Sequence, residues 1–195
     1  MYSSVPSLYT PHGQRKYLNG GERRRFHECT KLLSMDKKLF CQLIYFTGAR
    51  IREVHNLTGL SIDFSNKSVV LETLKRRRKG VYREVPIPDY LIADLYVYIN
   101  AMDDTSACLW TFSLRTSARY IKDVMNMAGI TGQQSSAKGL RHGFAVYAIS
   151  KAPITLVKKW LGHAKLETTE IYLNVIGVEE REIAKQLWDG SISQS

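Results

Sequence analysis

The sequence predicts a mainly α-helical domain that carries a small three-stranded antiparallel β-sheet, an α+β fold. Most segments place apolar residues three and four positions apart, which is the spacing of one helix face. Near the middle of the chain this spacing gives way to short β-branched runs that are separated by turns. The 195 residues are enough for one well-packed core. We expect an N-terminal arm over 1–18, one domain over 19–188 and a polar tail over 189–195.

The part of the chain before the predicted sheet holds the arm and three helices. Residues 1–18 are polar and without periodicity, and they contain two prolines, so they should form a flexible or draped arm. Asn19 can cap a first helix in GERRRFHECTKLL. A second helix over 36–47 is apolar nearly all round, which indicates the core, and a short helix over 49–57 follows it. The apolar face of the first helix would consist of Phe26, Cys29, Leu32 and Leu33.

Three strands are predicted next, in SIDFS, SVVLETL and VYREVPIP. Turns at Asn66-Lys67 and at RRRKG would join them. Pro86 and Pro88 suit the end of a strand or an edge position, because proline has no N–H to give to a central ladder.

Helical spacing returns after the third strand. Gly129 and Gly162 fit helix ends, and Pro153 fits the first turn of a helix. The apolar pattern predicts helices over 89–102, 113–128, 138–150, 154–161, 169–173 and 178–188.

The charge of the chain narrows the class of partner. A net charge of +10 and a pI near 9.6 favour a polyanionic partner, with nucleic acid as the first candidate. The three cysteines are scattered and stand in no metal-binding spacing, so neither disulfides nor a metal site is expected. No apolar run is long enough to span a membrane. We therefore expect a protein of the cytoplasm, such as the bacterial cytoplasm or nucleoid, with no membrane partner.

Several polar side chains stand where an apolar core would not favour them. Together they supply what a metal-free transfer at a phosphodiester needs. Two guanidiniums can clamp the phosphate oxygens, and an imidazole can donate to the same phosphate. A lysine can protonate the leaving oxygen, and a tyrosine can act as the covalent nucleophile. These side chains are Arg50, Lys75, Lys138, Arg141, His163 and Tyr172.

Three motifs that contain these residues resemble the tyrosine recombinases, a family that includes phage integrases and Xer-type recombinases. TGARIRE contains Arg50 and, one helical turn later, Glu53. KGLRHGFA contains Arg141, and LGHAKLETTEIY contains His163 and Tyr172. The motifs occur in the order of the family, and a lysine on a hairpin before PIP accompanies them. The resemblance covers about residues 19–188.

The resemblance implies the tyrosine recombinase catalytic-domain fold and a DNA strand-exchange reaction. Tyr172 would form a 3′-phosphotyrosyl bond while Arg50, Arg141 and His163 hold the phosphate and Lys75 protonates the 5′ oxygen. Glu53 would support Arg50. No cofactor and no metal would be required. The partners implied are double-stranded DNA, three further copies in a tetramer on DNA, and accessory DNA-bending or directionality proteins. A monomer in solution is compatible with this.

One position departs from the family pattern, and the position of the hairpin lysine can be aligned in two ways. Lys138 stands where the family commonly has histidine, so it could accept the tyrosine proton or bind the phosphate. His142 is assigned packing or a secondary contact. Lys75 ends the second strand, but Lys79 is the alternative general acid in the same basic turn. The DNA-binding side chains assigned to this turn are Arg76, Arg77, Arg78 and Lys79.

The size of the chain is a second departure, because family members typically carry a separate N-terminal domain that grips the DNA. About 18 residues precede the predicted domain, too few for such a fold. Two other functions stay open. One is relaxation of DNA by a type IB topoisomerase. The other is a DNA-binding regulator that keeps the fold without the activity. The predicted terminal helix, with Ile183, Leu187 and Trp188 on one face, would dock on a neighbouring copy or on its own core.

Overall fold

The computed structural model describes residues 7–74 and 80–173, and these ranges form a mostly helical domain with one small sheet. The predicted fold class is confirmed. The strands are β1 (Ile62–Asp63), β2 (Ser68–Glu72) and β3 (Tyr82–Pro86), with a turn of 3-10 helix (Gly59–Ser61) before β1. The helices are α1 (Gly20–Thr30), α2 (Met35–Thr47), α3 (Ile51–His55), α4 (Asp89–Asn100), α5 (Leu114–Met127), α6 (Ala137–Ile149), α7 (Ile154–Leu161) and α8 (Glu167–Glu170).

The sheet is antiparallel in the order β1-β2-β3, so β3 is an edge strand. Val69 of β2 pairs with Val85 of β3, and both side chains are buried on the inner face. Pro86 lies at the end of this edge strand, where a missing N–H is tolerated, as the sequence predicts. The turn before β2 contains Lys67 with a left-handed φ of 50°.

The main core surrounds α2. This helix packs against α1, α4, α5 and α6, which explains why nearly all of its faces are apolar. Its side chains Leu39, Phe40, Leu43 and Ile44 have no exposed surface. Each contributes about 1.5–3 kcal/mol through the apolar surface that it removes from water. The core therefore fixes the end of α2, from which the first motif leaves.

Helix α1 begins as predicted but ends sooner. The Asn19 side chain accepts a hydrogen bond from the Glu22 N–H at 2.8 Å, and the Glu22 carboxylate accepts one from the Asn19 N–H at 2.9 Å. The helix ends at Thr30, whose hydroxyl donates to the carbonyl of His27 at 2.6 Å and competes with helical bonding. Leu32 lies beyond this end and is 77% exposed, so its assignment to the buried face is wrong.

The segment before α1 is draped over α6. The N–H of Leu18 donates to the carbonyl of Gly139 at 3.2 Å, and a Cβ on Gly143 would stand 2.7 Å from the Leu18 carbonyl oxygen. Gly143 thus lets the chain cross the helix closely, whereas the missing Cβ of Gly139 leaves room for the backbone of Gln134. Leu8 and Tyr17 are buried in a second apolar cluster that also contains Tyr172. The sequence left open whether the arm is flexible or draped, and residues 7–18 are draped over the domain.

The last described helix is shifted from its predicted place. The sequence predicts a helix over 169–173, whereas α8 spans Glu167–Glu170. Tyr172 consequently lies in the turn just after α8, where its N–H donates to the carbonyl of Thr169 at 3.1 Å. The predicted helix over 178–188 lies outside the described residues. None of the helices within the described ranges is long and apolar enough to cross a membrane.

Candidate active site

Arg50 lies where α2 gives way to α3. Gly48 ends α2 in the left-handed conformation, and Arg50 then takes an extended conformation as the first cap of α3. Its N–H donates to Glu53 Oε2 at 2.9 Å, and its Nη1 donates to Glu53 Oε1 at 2.7 Å. The predicted contact between these two side chains is therefore present. Glu53 is fully buried at its side chain whereas Arg50 keeps 23% exposure, so the guanidinium retains an open side.

Gly48 is required in this motif for two independent reasons. Its φ of 60° favours a residue without a Cβ, and a Cβ at this position would overlap the ring of Phe144 in α6. The close approach of the two helices brings the carbonyl of Gly48 within 2.6 Å of Arg141 Nη1. The glycine thus joins the first motif to the second.

Arg83 of β3 connects three segments of the site and was missed by the sequence analysis. Its Nη2 donates to Glu53 Oε2 at 2.6 Å, and its Nη1 donates to Thr73 Oγ1 at 3.0 Å. Its Nε donates to the carbonyl of Trp160 in α7 at 2.7 Å. A Cβ on Gly162 would stand 3.1 Å from this guanidinium. The alternation of β3 could have found Arg83, because it shares the buried face with the next-but-one residue of the strand.

Glu53 carries the negative charge that both of these arginines share. Burial alone would raise the pKa of its carboxyl, but the guanidinium of Arg83, and then that of Arg50, hold the pKa below its usual value. Glu53 is therefore ionised near neutral pH and fixes the two guanidiniums relative to each other.

Arg141 ties together the ends of two helices. Besides the carbonyl of Gly48, it reaches the carbonyl of Leu161 with Nη2 at 2.7 Å. Carbonyls at helix C-termini carry partial negative charge, which suits a guanidinium. In the described part of the chain Arg141 makes no ion pair with a carboxylate. Burial, and then the positive charge of Arg50, lower its pKa to about 10, so it remains a cation at neutral pH.

His163 is held between Arg141 and Thr169. Arg141 Nη2 lies 3.1 Å from His163 Nε2, and the Thr169 hydroxyl lies 3.0 Å from His163 Nδ1. Because a guanidinium can only donate, Nε2 accepts and Nδ1 carries the hydrogen that goes to Thr169. Burial, then Arg141 and Arg50, lower the pKa of His163 to about 3, so the imidazole is neutral here.

The Tyr172 side chain is buried beside this cluster and contacts His142. Its hydroxyl lies 2.8 Å from His142 Nδ1, and its ring stacks on that of His163 with centroids 6.3 Å apart. Burial raises the pKa of Tyr172 to about 12, although Arg141 and Arg50 both act to lower it. The secondary contact assigned to His142 is thus a contact with the predicted nucleophile.

The structure brings together the predicted residues of all three motifs and leaves others apart. Lys138 is exposed on α6, and within the described ranges the Tyr172 hydroxyl contacts His142 and not Lys138. Its charge instead acts on His142. The predicted hairpin residues Lys75, Arg76, Arg77, Arg78 and Lys79 lie outside the described residues.

A cavity of about 380 Å³ opens beside the site, between the β2–β3 hairpin and α7. Its walls include Arg83 and His163 together with two lysines, Lys158 and Lys159. Among residues 7–74 and 80–173, no group of histidine, cysteine, aspartate or glutamate side chains could hold a metal ion. Arg83, Lys158 and Lys159 make this cavity basic, and the ring of His163 connects it to the buried phenol of Tyr172.

A helical domain with a small sheet, in which two arginines, a histidine and a tyrosine from separate motifs converge, defines the catalytic domain of the tyrosine recombinases. The chain belongs to the phage integrase family, whose model matches residues 16–176. The resemblance inferred from the three motifs is thereby confirmed.

Relatives and solved structures agree with this assignment. The chain is 30% identical over 159 residues to the tyrosine recombinase XerA of Pyrococcus furiosus, which covers 76% of this chain and 54% of XerA. A crystal structure of XerA recombinase matches with a TM-score of 0.73 and 25% identity, over 87% of this chain and 64% of that one. The XerH site-specific recombinase bound to palindromic difH substrate, in a post-cleavage complex, matches in fold with a TM-score of 0.75 and 21% identity, over 97% and 58% of the two chains. The chain spans about half the length of the curated relatives it matches.

Proposed function

We propose that the chain is a site-specific DNA recombinase that cleaves and rejoins strands through a covalent 3′-phosphotyrosyl intermediate. One observation carries this proposal: Arg50, Arg141, His163 and Tyr172, from three separate motifs, lie around one buried site. The tyrosine recombinases that the chain resembles support the reaction class. The XerH recombinase, which is similar in fold, is bound to difH substrate in its crystal structure.

The two arginines would bind the phosphate that is cleaved. Arg50 has an open side, and Arg141 uses three of the five N–H groups of a guanidinium in the contacts described, so two remain. Guanidiniums that are already fixed stabilise the charge that develops on the phosphate without reorganising. Glu53 and Arg83 would maintain this alignment, because they hold Arg50 from the buried side.

His163 would become a donor to the phosphate only when the anion is present. In the structure its Nε2 accepts from Arg141. A phosphate placed among these groups favours the charged imidazole, since an opposite charge nearby raises a histidine pKa. The protonated Nε2 can then donate to the phosphate while Thr169 continues to hold Nδ1.

Tyr172 would attack the phosphorus, and the 5′ oxygen would leave with a proton from a lysine of the hairpin. The choice between Lys75 and Lys79 stays open. The base of this hairpin is anchored at the site, because Thr73 accepts from Arg83. A 5′-hydroxyl from another strand would reverse the reaction, and the phosphotyrosyl bond retains the energy that rejoining needs.

Double-stranded DNA is the proposed partner. The net charge of +10 and the lysines around the cavity favour a polyanion. Because phosphate contacts release counterions, we expect binding to weaken steeply as salt rises. The arm and the basic hairpin are proposed to supply grip on the DNA beyond the cavity, and accessory DNA-bending or directionality proteins stay a prediction.

The proposed tetramer on DNA would use a groove of about 990 Å³ between α1, α2 and α6. Leu173, the last described residue, lines this groove. Arg23 also lines it, and its buried Nη1 has no hydrogen-bond partner among the described residues. The segment 178–188 combines an apolar stripe with three glutamates and two basic residues, so its net charge is −1, opposite in sign to Arg23. We assign the groove to this segment of a second copy. An Ile183→Asp variant that still forms tetramers on DNA would contradict the assignment.

Covalent capture tests the proposed function. Nicked duplexes with a randomised central sequence are incubated with the protein, and adducts are isolated under denaturing conditions and sequenced. We expect an adduct with the wild type and none with Tyr172→Phe. Absence of any wild-type adduct would favour the DNA-binding regulator, whereas relaxation of plasmids that lack a selected sequence would favour a topoisomerase.

A further inference from the structure

His142 is placed to act on the oxygen of Tyr172. It lies in the middle of α6, directly after Arg141, and its Nδ1 is 2.8 Å from the Tyr172 hydroxyl. The two rings are tilted by 48° with centroids 5.8 Å apart. The residue is thus fixed by its own helix on one side and by the turn after α8 on the other.

The direction of this hydrogen bond follows from the protonation states. Burial, then Lys138, Arg141 and Lys16, lower the pKa of His142 to about 4, so the imidazole is neutral at physiological pH. Tyr172 is a protonated phenol at the same pH. The phenol is therefore the donor and Nδ1 the acceptor, with the imidazole hydrogen on Nε2.

Lys138 is less suited to the same task. It stands one turn before His142 on α6 and is exposed, and the Tyr172 hydroxyl contacts His142 instead. An ammonium has three donors and no acceptor, so Lys138 would first have to lose its proton. Its described effect is electrostatic, through its charge on His142.

We propose that His142 accepts the proton of Tyr172 during strand cleavage and returns it during strand rejoining. This inference rests on the proposed function. As the Tyr172 oxygen bonds to phosphorus, its proton moves to His142 Nδ1, the bond from phosphorus to the 5′ oxygen breaks, and that oxygen takes a proton from the hairpin lysine. In rejoining, the 5′-hydroxyl gives its proton to the hairpin lysine as its oxygen bonds to phosphorus. The bond from phosphorus to Tyr172 breaks, and the imidazolium gives its proton back to the departing phenolate, as microscopic reversibility requires.

The experiment measures single-turnover adduct formation on a duplex recovered by the covalent selection above, using the whole chain. Two versions are compared, one with oxygen and one with sulfur at the bridging 5′ position. Sulfur leaves without a proton, so the sulfur duplex removes the need for a general acid and keeps the need for a base. His142→Ala should slow cleavage of both duplexes by about 10²–10⁴-fold, the usual contribution of general base catalysis. Lys75→Ala, or Lys79→Ala if that is the acid, should recover on the sulfur duplex.

Added imidazole provides a readout that a structural role would not change. It should partly restore cleavage by His142→Ala, in proportion to its neutral form. His55→Ala is the matched control, because His55 is also partly buried but bonds to the carbonyl of Phe112 away from the site. It should cleave at the wild-type rate with or without imidazole.

A second variant keeps the test decisive if the alanine variant does not fold, as judged by circular dichroism. His142→Gln retains most of the volume and should show the same loss on both duplexes. Wild-type rates in His142→Ala or His142→Gln, recovery on the sulfur duplex, or a larger loss in Lys138→Ala would each overturn the proposal. A wild type that forms no adduct would instead refute the proposed function.

Discussion

Replacing Arg83 by methionine removes a guanidinium that three segments of the candidate active site share. The change leaves Glu53 with Arg50 alone and takes the donors from the Trp160 carbonyl and the Thr73 hydroxyl. Breaking a buried ion pair costs about 3–5 kcal/mol. A buried acceptor left without its donor adds about 1–3 kcal/mol. Because two acceptors lose their donor, we expect a loss of about 5–11 kcal/mol, comparable to the 5–15 kcal/mol that usually holds a domain folded.

Arg83→Lys isolates the effect on catalysis from the effect on folding. The lysine keeps the charge beside Glu53 but cannot span the three acceptors, so we expect a smaller loss of about 2–4 kcal/mol. Because Arg83 is only 6% exposed, DNA affinity should change little while adduct formation slows at least about 10-fold. Urea denaturation gives the stabilities, fluorescence anisotropy gives the DNA affinity, and denaturing gels give the cleavage rate. Arg52→Met, at an exposed position of α3, is the control for losing one charge.

Two results would refute this reasoning about Arg83. Arg83→Met with the same urea midpoint as Arg52→Met would show that the guanidinium does not hold the segments together. Arg83→Lys that loses DNA affinity in proportion to cleavage would show that Arg83 contacts DNA.

Three further variants or conditions test neighbouring parts of the site. Arg50→Lys keeps the charge but loses the planar fork, so gels should show cleavage slowed about 10²–10³-fold while anisotropy shows DNA affinity nearly unchanged; equal losses would contradict the role. Gly48→Ala should destabilise by about 1–3 kcal/mol more than Gly129→Ala, which has a similar φ but open space around it; equal melting temperatures would contradict the overlap. The pKa values of His142 and His163 are about 4 and about 3 when folded, below the ordinary 6.5, so stability is complete above pH 6.5 and is lost as the pH falls. Each histidine should lower the free energy of unfolding by about 2 kcal/mol between pH 7 and pH 5. A urea midpoint that does not change over this range would contradict the lowered pKa values.

The sequence predicted the fold class and the convergence of the three motifs, because both depend on local patterns. Apolar spacing marks the helices, and Gly162 marks the end of α7 whatever packs against it. The end of α1 was misjudged because the apolar pattern continues through Leu32. The helix ends earlier, at Thr30, whose hydroxyl donates to the carbonyl of His27.

Contacts across the fold could not be read in the same way. His142 follows Arg141 in the chain, but which of the two faces the tyrosine depends on the path of α8 and the turn after it. The close crossing of residues 7–18 over α6 depends on Gly143, whose partner Leu18 lies far away in sequence. Arg83 was accessible in principle, because the alternation of β3 places it on the inner face, where a guanidinium needs buried acceptors.

One carboxylate among three guanidiniums has a consequence for how the protein behaves outside its reaction. Glu53 pairs with Arg50 and Arg83, and no carboxylate in the described ranges pairs with Arg141. The site therefore carries an excess of positive charge. An anion that enters it completes the charge balance of the fold. Sulfate or inorganic phosphate should therefore raise the melting temperature well beyond what chloride does at equal ionic strength. Folding stability and attraction for the DNA backbone would then be two measures of the same uncompensated charge.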